Sequence, residues 1–440
     1  MNQMNRNRCR YSFKIIVIIL LASFSCRGRK EVVVPDQRVE TIDILGSYKS
    51  KGEVNLSSVT NSVEYINLES SGKCMVNDPY LIAARDSILI LIEYQKIMVF
   101  SRATGAFKYE ISHFGRGPSE YKTTVTNGYD ELNNMVYVES FVRDNVMGFS
   151  TDGSLQIIFK KPASNLGVVE GKEYYTRSFW PFGESQFIAY SENFSGIDSV
   201  KLLRFDTTAR ILNYYKNYNS FDKSKYNGGT RENDDGWFFN YQDSVRFFEM
   251  YTDTIYTVQE RKISPRYYLK MGELSPPYYL RAVSVGLEFE HFNYFNIREI
   301  FESTRFLFFT LRLNNYRHLC FYDKKTKDTK VCDIANGKEQ YEVQTTYEDL
   351  PHFGRVRWDR ESRTIGLVDD INNFVPFGVG NKCIYINRND ELIAYIPAID
   401  VERWFKENPD KAMNLPENLK KYSDVKATDN IIVMVIKLKE

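Results

Sequence analysis

Short apolar and aromatic runs alternate with polar turns along almost the whole chain. Before residue 398 few stretches show the three-to-four-residue apolar spacing of an amphipathic helix. The runs are rich in Ile, Val, Phe and Tyr and are bounded by Gly, Asn and Asp, which is the pattern of strands and turns. One unit recurs: an apolar-aromatic strand, a polar turn and a second strand. It reads IMVFSRATGAFKYEI around Phe100, VMGFSTDGSLQIIF around Phe149 and KLLRFDTTARILNYY around Phe205. Weaker copies read DTIYTVQERKISPRYYL around Tyr256, HLCFYDKKTKDTKVC around Phe321 and CIYINRNDELIAYI around Tyr385.

The copies lie about 50 to 65 residues apart, room for about four strands each, and that period is the signature of a propeller. A lone four-stranded sheet leaves a face unburied and its edges open; sheets packed radially bury those faces against each other. The expected fold is therefore all-β, a six-bladed β-propeller over residues 41–440. Packed β-sandwiches are the alternative, but six spaced copies of one hairpin fit a ring better. Thr41–Leu45, Val63–Leu68 and the final apolar run Ile431–Leu438 are the candidates to close that ring. Residues 398–425 read as a helical or irregular insertion before the last strand. The aromatic content, 15%, suits wedge-shaped gaps between blades, which large flat side chains fill.

The N-terminus departs from this pattern. Arg6, Arg8, Arg10 and Lys14 precede an apolar run, Ile15–Ala22, far shorter than the ~20 residues that span a bilayer. A basic stretch followed by a short apolar core reads as a secretory signal. Ser23-Phe24-Ser25-Cys26 resembles a bacterial lipobox, with Ser23 and Phe24 standing where Leu and a small residue are usual. The resemblance implies a signal peptide over 1–25, cleavage before Cys26, acylation of Cys26 and a lipidated tether over 26–40. Arg27 after the cysteine implies outer-membrane sorting, and the lack of an acidic cluster there implies a periplasm-facing location in the cell envelope. Acyl chains would hold the protein on the membrane at ~0.8 kcal/mol per buried methylene.

Apolar residues at 43% and charged residues at 26% exclude wholesale disorder. The formal charge is +1, and loss of residues 1–25 removes four basic groups and no acidic one, leaving −3. A balance so near zero argues against nucleic acid as partner. Among the six cysteines, Cys320 and Cys332 flank the turn-like stretch Asp323–Asp328. A hairpin centred on Thr326 would set them opposite each other and permit a disulfide; a register one residue away leaves two free thiols. No CxxC or Cys/His cluster occurs, so the sequence names no metal ligand set.

Several segments are similar to one family. Phe114-Gly-Arg-Gly-Pro-Ser-Glu-Tyr121 resembles the G-x-GP-x-EY segment of Bacteroidetes six-bladed propeller lipoproteins of the TolB-like or NHL-like group. Asp253-Thr-Ile-Tyr256 with Pro265-Arg-Tyr267 resembles their DTIY…PRY segment, and Asp429–Lys439 resembles their closing strand. The likeness covers most of residues 60–438. Ser119 stands where Gly is frequent, and Leu367–Phe377 keeps Asp369 and Pro376 but lacks the expected glycines. The resemblance implies a fold and an envelope address and no agreed activity.

In an up-and-down blade the 1–2 and 3–4 turns lie at one end, and the 2–3 loops and blade-to-blade crossings at the other. The 3–4 turns here are short (Arg102–Gly105, Thr151–Gly153, Asp206–Thr208). The crossings are long (Ser112–Lys122, Lys161–Lys172, Asn219–Gly236, Gly272–Asn293, Asn336–Gly354). Long loops on a rigid scaffold favour binding. His113, Arg116 and Glu120 on the Gly-Pro loop could clasp a polar ligand, or Arg116 and Glu120 could serve a sharp turn. Asp234 and Asp235, between glycines, could hold Ca²⁺, or form an acidic loop without EF-hand spacing. Asp369 has the same two readings. Trp180, Trp237 and Tyr278–Tyr279 could stack on sugar rings or pack between blades. Motifs for a nucleophile elbow, a zinc protease or a phosphate-cradling loop are missing. The expected function is a non-catalytic envelope lipoprotein that binds or scaffolds a protein, peptide or glycan. The alternative is a hydrolase or lyase with carboxylates or a metal ion in the central funnel.

Overall fold

The computed structural model describes residues 39–440 except 77–78, 94, 124–127, 141–144, 163–175, 194, 226–234, 283–292, 315, 334–341, 348–357 and 376–384. The signal peptide, Cys26, nearly all of the tether and Asp234 lie outside the described residues.

Six antiparallel sheets follow one another along the chain. Sheet I comprises Leu81–Ala84, Ile88–Glu93, Lys96–Ser101 and Phe107–Glu110; sheet II runs from Tyr121–Thr123 to Leu155–Lys160. Sheet III comprises Thr176–Pro181, Gln186–Ser191, Val200–Asp206 and Ile211–Lys216. Sheet IV comprises Gly236–Tyr241, Ser244–Glu249, Thr254–Val258 and Ile263–Lys270. Sheet V begins with Asn296–Glu302, Phe306–Leu313 and Tyr316–Asp323, whose far edge is shared by Thr329–Val331 and, in parallel, by Trp358–Ile365. Sheet VI orders Tyr385–Ile386, Glu391–Ile396 and Ile432–Leu438 with Thr60–Asn67 from the other end of the chain.

The apolar pattern explains the ring. Middle strands such as Ile88–Glu93 and Lys96–Ser101 are buried at every interior position, because another sheet covers each face. The outer strand Leu155–Lys160 is largely exposed. Alternate residues of one strand serve opposite neighbours: Phe306 and Phe308 pack toward sheet VI, and Leu307, Phe309 and Leu311 toward sheet IV. A separate buried cluster fills the gap between each successive pair, including one between sheets VI and I built from Ile66, Leu91, Phe100, Ile393 and Val433. The fold is a closed six-bladed β-propeller.

Both termini contribute to closure. Thr60–Asn67 pairs with Ile432–Leu438 as the outermost strand of sheet VI. Upstream, Glu40–Asp43 adds in parallel to the outer strand of sheet IV. Gly52 then bridges Cys332, and Leu56 donates its N–H to Val368 O at 2.8 Å. Residues 40–67 thus form a strap around the rim past sheets IV, V and VI. Helices Ala398–Glu407, Pro409–Met413 and Glu417–Lys420 fill the connection between the second and third strands of sheet VI and bury Val401, Trp404 and Leu419 against its core.

One sequence expectation needs correction. The copy around Tyr385 is the inner hairpin of its sheet, whereas the other five copies are outer hairpins. Cys320 and Cys332 are free buried thiols. Cys320 lies opposite Val331, so the hairpin is centred half a residue earlier than Thr326, with Lys327 in the left-handed region at φ 68°. That offset turns Cys320 toward sheet IV and Cys332 toward sheet VI, on opposite faces of their sheet.

At the end carrying the 1–2 turns, one turn of sheet VI ties the ring together. The Asn387 side-chain amide donates to Ala84 O of sheet I at 3.1 Å. The Arg388 N–H donates to both carboxylate oxygens of Glu131 in sheet II at 3.0 and 3.2 Å. The Arg388 guanidinium donates to Asp243 of sheet IV at 2.6 Å, and Asp390 accepts from the Thr304 N–H of sheet V at 3.0 Å. Sheets II, IV and VI alternate around the ring, so a residue of VI bonded to both II and IV lies close to the axis.

Alkylation under denaturing, non-reducing conditions should modify both Cys320 and Cys332, whereas the folded protein should leave both unmodified; peptide mass mapping reads the result. A Cys320–Cys332 disulfide recovered before reduction would contradict this register.

Candidate functional site

At the crossing end, between sheets III and IV, the chain buries a dense polar cluster. Its parts come from strand ends and crossings. Tyr190 is the last residue but one of the second strand of sheet III, Lys201 the second residue of the third, and Glu249 ends the second strand of sheet IV. Asp235 precedes the first strand of sheet IV, and Arg281 lies in the 3-10 turn Tyr278–Ala282 on the crossing from IV to V. Gly236 allows the close approach: a Cβ there would come within 2.5 Å of the Tyr190 ring.

Lys201 and Arg281 both form ion pairs with Glu249, and Arg281 also pairs with Asp235. The Arg281 guanidinium donates to the hydroxyls of Tyr278 at 2.5 Å and Tyr190 at 2.8 Å. Both hydroxyls in turn donate to Glu249, at 2.7 and 3.1 Å. Glu249 and Lys201 are 1% and 3% exposed, which makes this a buried network and not a surface one.

Burial divides the two carboxylates. Desolvation acts to raise Glu249, but Lys201 and Arg281 outweigh it and hold the carboxyl at about 2. Desolvation dominates at Asp235, with Glu192 and Glu249 adding to it against Arg281, and its carboxyl is pushed up to about 6.

Asp235 is therefore where sequence reasoning and structure meet, with a changed role. Its carboxylate faces a guanidinium, and that positive neighbour opposes Ca²⁺ binding at this residue. Among the described residues no group of three or more His, Cys, Asp or Glu side chains is placed to hold a metal ion.

The other expected residues lie apart from this cluster. Glu120 turns back onto its own loop, accepting the Gly117 N–H at 2.7 Å, and a Cβ at Gly115 would collide with its carboxylate. His113 is exposed and sits 3.5 Å from Glu110, and Arg116 is exposed on the same turn. Asp369 is buried and accepts the Tyr65 hydroxyl at 2.8 Å and the N–H groups of Ile371 and Asn372 at 3.1 and 2.9 Å. Trp180 donates its indole N–H to Asn240 of sheet IV at 2.9 Å, and Trp237 donates to Ile300 O of sheet V at 2.9 Å. Both indoles tie first strands of neighbouring sheets. Lys201, Glu249 and Arg281 were not singled out from the sequence. The available signal was a charge set among apolar strand residues, as in VKLLRF and VRFFEM.

The family model for a domain of unknown function, DUF4934, matches residues 39–437. The chain belongs to the DUF4934 family. Among solved structures, this DUF4934 propeller is similar to the Bacteroides fragilis "Putative exported protein" BF0058, with 17% identity and a TM-score of 0.58 over 89% of this chain and 99% of that one. A DUF4221 member from Bacteroides vulgatus gives 10% identity and a TM-score of 0.45 over 87% and 99% of the two chains. A streptogramin B lyase gives 12% and 0.36 over 76% and 80%. Only the first exceeds 0.5, and at that identity it shares the fold. No curated protein matches the chain.

Two measurements test the cluster of this DUF4934 propeller. Glu249→Gln leaves Lys201 and Arg281 as buried cations without their shared partner, and urea unfolding should show a loss of about 3–5 kcal/mol. The folded value of Asp235 lies above its unfolded value of 3.8, so its stabilising contribution is present at low pH and is lost as pH rises through about 6. Between pH 7 and 5 the wild type should therefore gain on Asp235→Asn by on the order of 1 kcal/mol.

Proposed function

We propose that the protein is a non-catalytic envelope lipoprotein whose crossing end binds a peptide, protein or glycan. The observation that carries this reading is the occupied axis at the opposite end. The turn Asn387–Asp390 bonds to sheets I, II, IV and V there, so a ligand entering along the axis from that side meets Arg388, Glu131 and Asp243 already joined. The crossing end instead carries the longer connections, as between Lys160 and Thr176 and between Lys270 and Asn296. Binding is favoured over hydrolysis or lyase chemistry because Glu249 is bonded to two cations and two tyrosine hydroxyls, and Asp235 to the Arg281 guanidinium, inside the sheets. Such groups rigidify a surface; they are poorly placed to exchange protons with a substrate. The envelope address rests on the basic and apolar N-terminal pattern and on Cys26.

Hydrogen exchange of residues 27–440 with fractionated envelope peptides and glycans should slow amides in Asn193–Ser199 and Gly272–Leu280. Protection confined to Arg102–Gly105 and Thr151–Gly153 would overturn the assignment. For the anchor, Cys26→Ala should move the full-length protein from the membrane pellet to the soluble fraction; retention in the pellet would refute acylation at that residue.

A further inference from the structure

Arg281 sits in its surroundings as a ligand sits in a receptor. Its two terminal nitrogens reach two carboxylates, Asp235 and Glu249, and two hydroxyls, Tyr190 and Tyr278. The Tyr278 ring lies 4.9 Å from its guanidinium carbon. This is a full set of partners for a planar, forked cation: paired acceptors at the tip and an aromatic face alongside.

Tyr278 rides on the same turn as Arg281 and would leave with it; the rest of the receptor belongs to other parts of the chain. Tyr190, Lys201 and Glu249 stand on strands of sheets III and IV, and Asp235 on the residue leading into sheet IV. Lys201 pairs with the second oxygen of Glu249, so the floor keeps one interaction that does not involve Arg281. Arg281 rides on the five-residue 3-10 turn Tyr278–Ala282. That turn is pinned by Leu280 in a small cluster with Met250 and Tyr251, separate from the cores between sheets. A short 3-10 turn on a satellite cluster opens at less cost than the ring unfolds.

We propose that this site between sheets III and IV receives an arginine side chain of a partner polypeptide, with Arg281 as its resident substitute. The inference rests on the crossing-end reading above and names its ligand chemistry. Removing Arg281 without replacement would leave Asp235 and Glu249 short of a cation in a dry place, so the site empties only by exchange. A guanidinium satisfies both carboxylates at once; an ammonium, a point charge without a fork, does not.

The test uses residues 27–440 and two probes, N-acetylarginine amide and N-acetyllysine amide. Arg281→Ala should bind the arginine probe saturably with a rise in Tm, at least tenfold more tightly than the lysine probe. Glu249→Gln added to Arg281→Ala should abolish that binding. In the wild type, an arginine-bearing peptide at saturation should speed exchange of the Leu280 and Arg281 amides as the turn is displaced. Unchanged exchange at those amides, or equal affinity for the two probes, would overturn the proposal. If Arg281→Ala does not fold, Arg281→Lys keeps a charge and supplies the same comparison. Failure with these probes would leave ligand protection elsewhere at the crossing end intact, so the two readings can fail separately.

Discussion

Ring closure is the constraint on which the rest depends. Each sheet has two apolar faces, and each face is covered only by a neighbour. Leu91 and Phe100 of sheet I would be bare unless sheet VI stood against them, and sheet VI takes its outermost strand, Thr60–Asn67, from the other end of the chain. That interface joins residues from both ends of the chain. Closure is reinforced at the axis, where Asn387–Asp390 reaches four of the other five sheets, and at the rim, where residues 40–67 pass sheets IV, V and VI.

The polar clusters follow from the same geometry. Sheets that pack by apolar side chains over their middles have strand ends that meet charged residues from turns and crossings. Between III and IV this yields Lys201, Glu249, Arg281 and Asp235. Between IV and V it yields Glu302, bonded to Arg246 at 3.0 Å, Tyr267 at 2.6 Å and Lys324 at 3.1 Å. The two lie at opposite ends of the strands: Glu249 ends a second strand at the crossing end, and Glu302 ends a first strand at the other. Only the first includes a residue carried by a crossing, Arg281, and that difference separates a rigid joint from one that can exchange its partner.

The sheet plan was legible in the sequence because burial on both faces writes continuous runs such as ILILI and IMVF, and outer hairpins repeat one turn chemistry. The sixth repeat was misplaced within its sheet because inner and outer hairpins carry the same apolar signature when both are covered. The Cys320–Cys332 pairing depended on half a residue of register, which the left-handed Lys327 decides and composition does not. The candidate site was reached through Asp235 and Tyr278, neither of them in the role it has there. Its partners Tyr190, Lys201, Glu249 and Arg281 are far apart in the chain, and a single Lys or Glu inside an apolar strand carries no spacing by which to find its mate. Glu120, Asp369, Trp180 and Trp237 read more readily as turn and inter-sheet residues than as ligand contacts, and the observed bonds are of that kind.

The strap has a mechanical consequence. Glu40–Asp43 lies parallel to Tyr267–Lys270, register to register. Tension applied through the residues before Val39 and directed back along that strand would load those ladder bonds together, in shear, instead of opening them one by one like a zipper. Any load that survives that point passes next to Gly52 and Leu56 before it reaches Thr60, so the strand that seals the circle is the last to feel it.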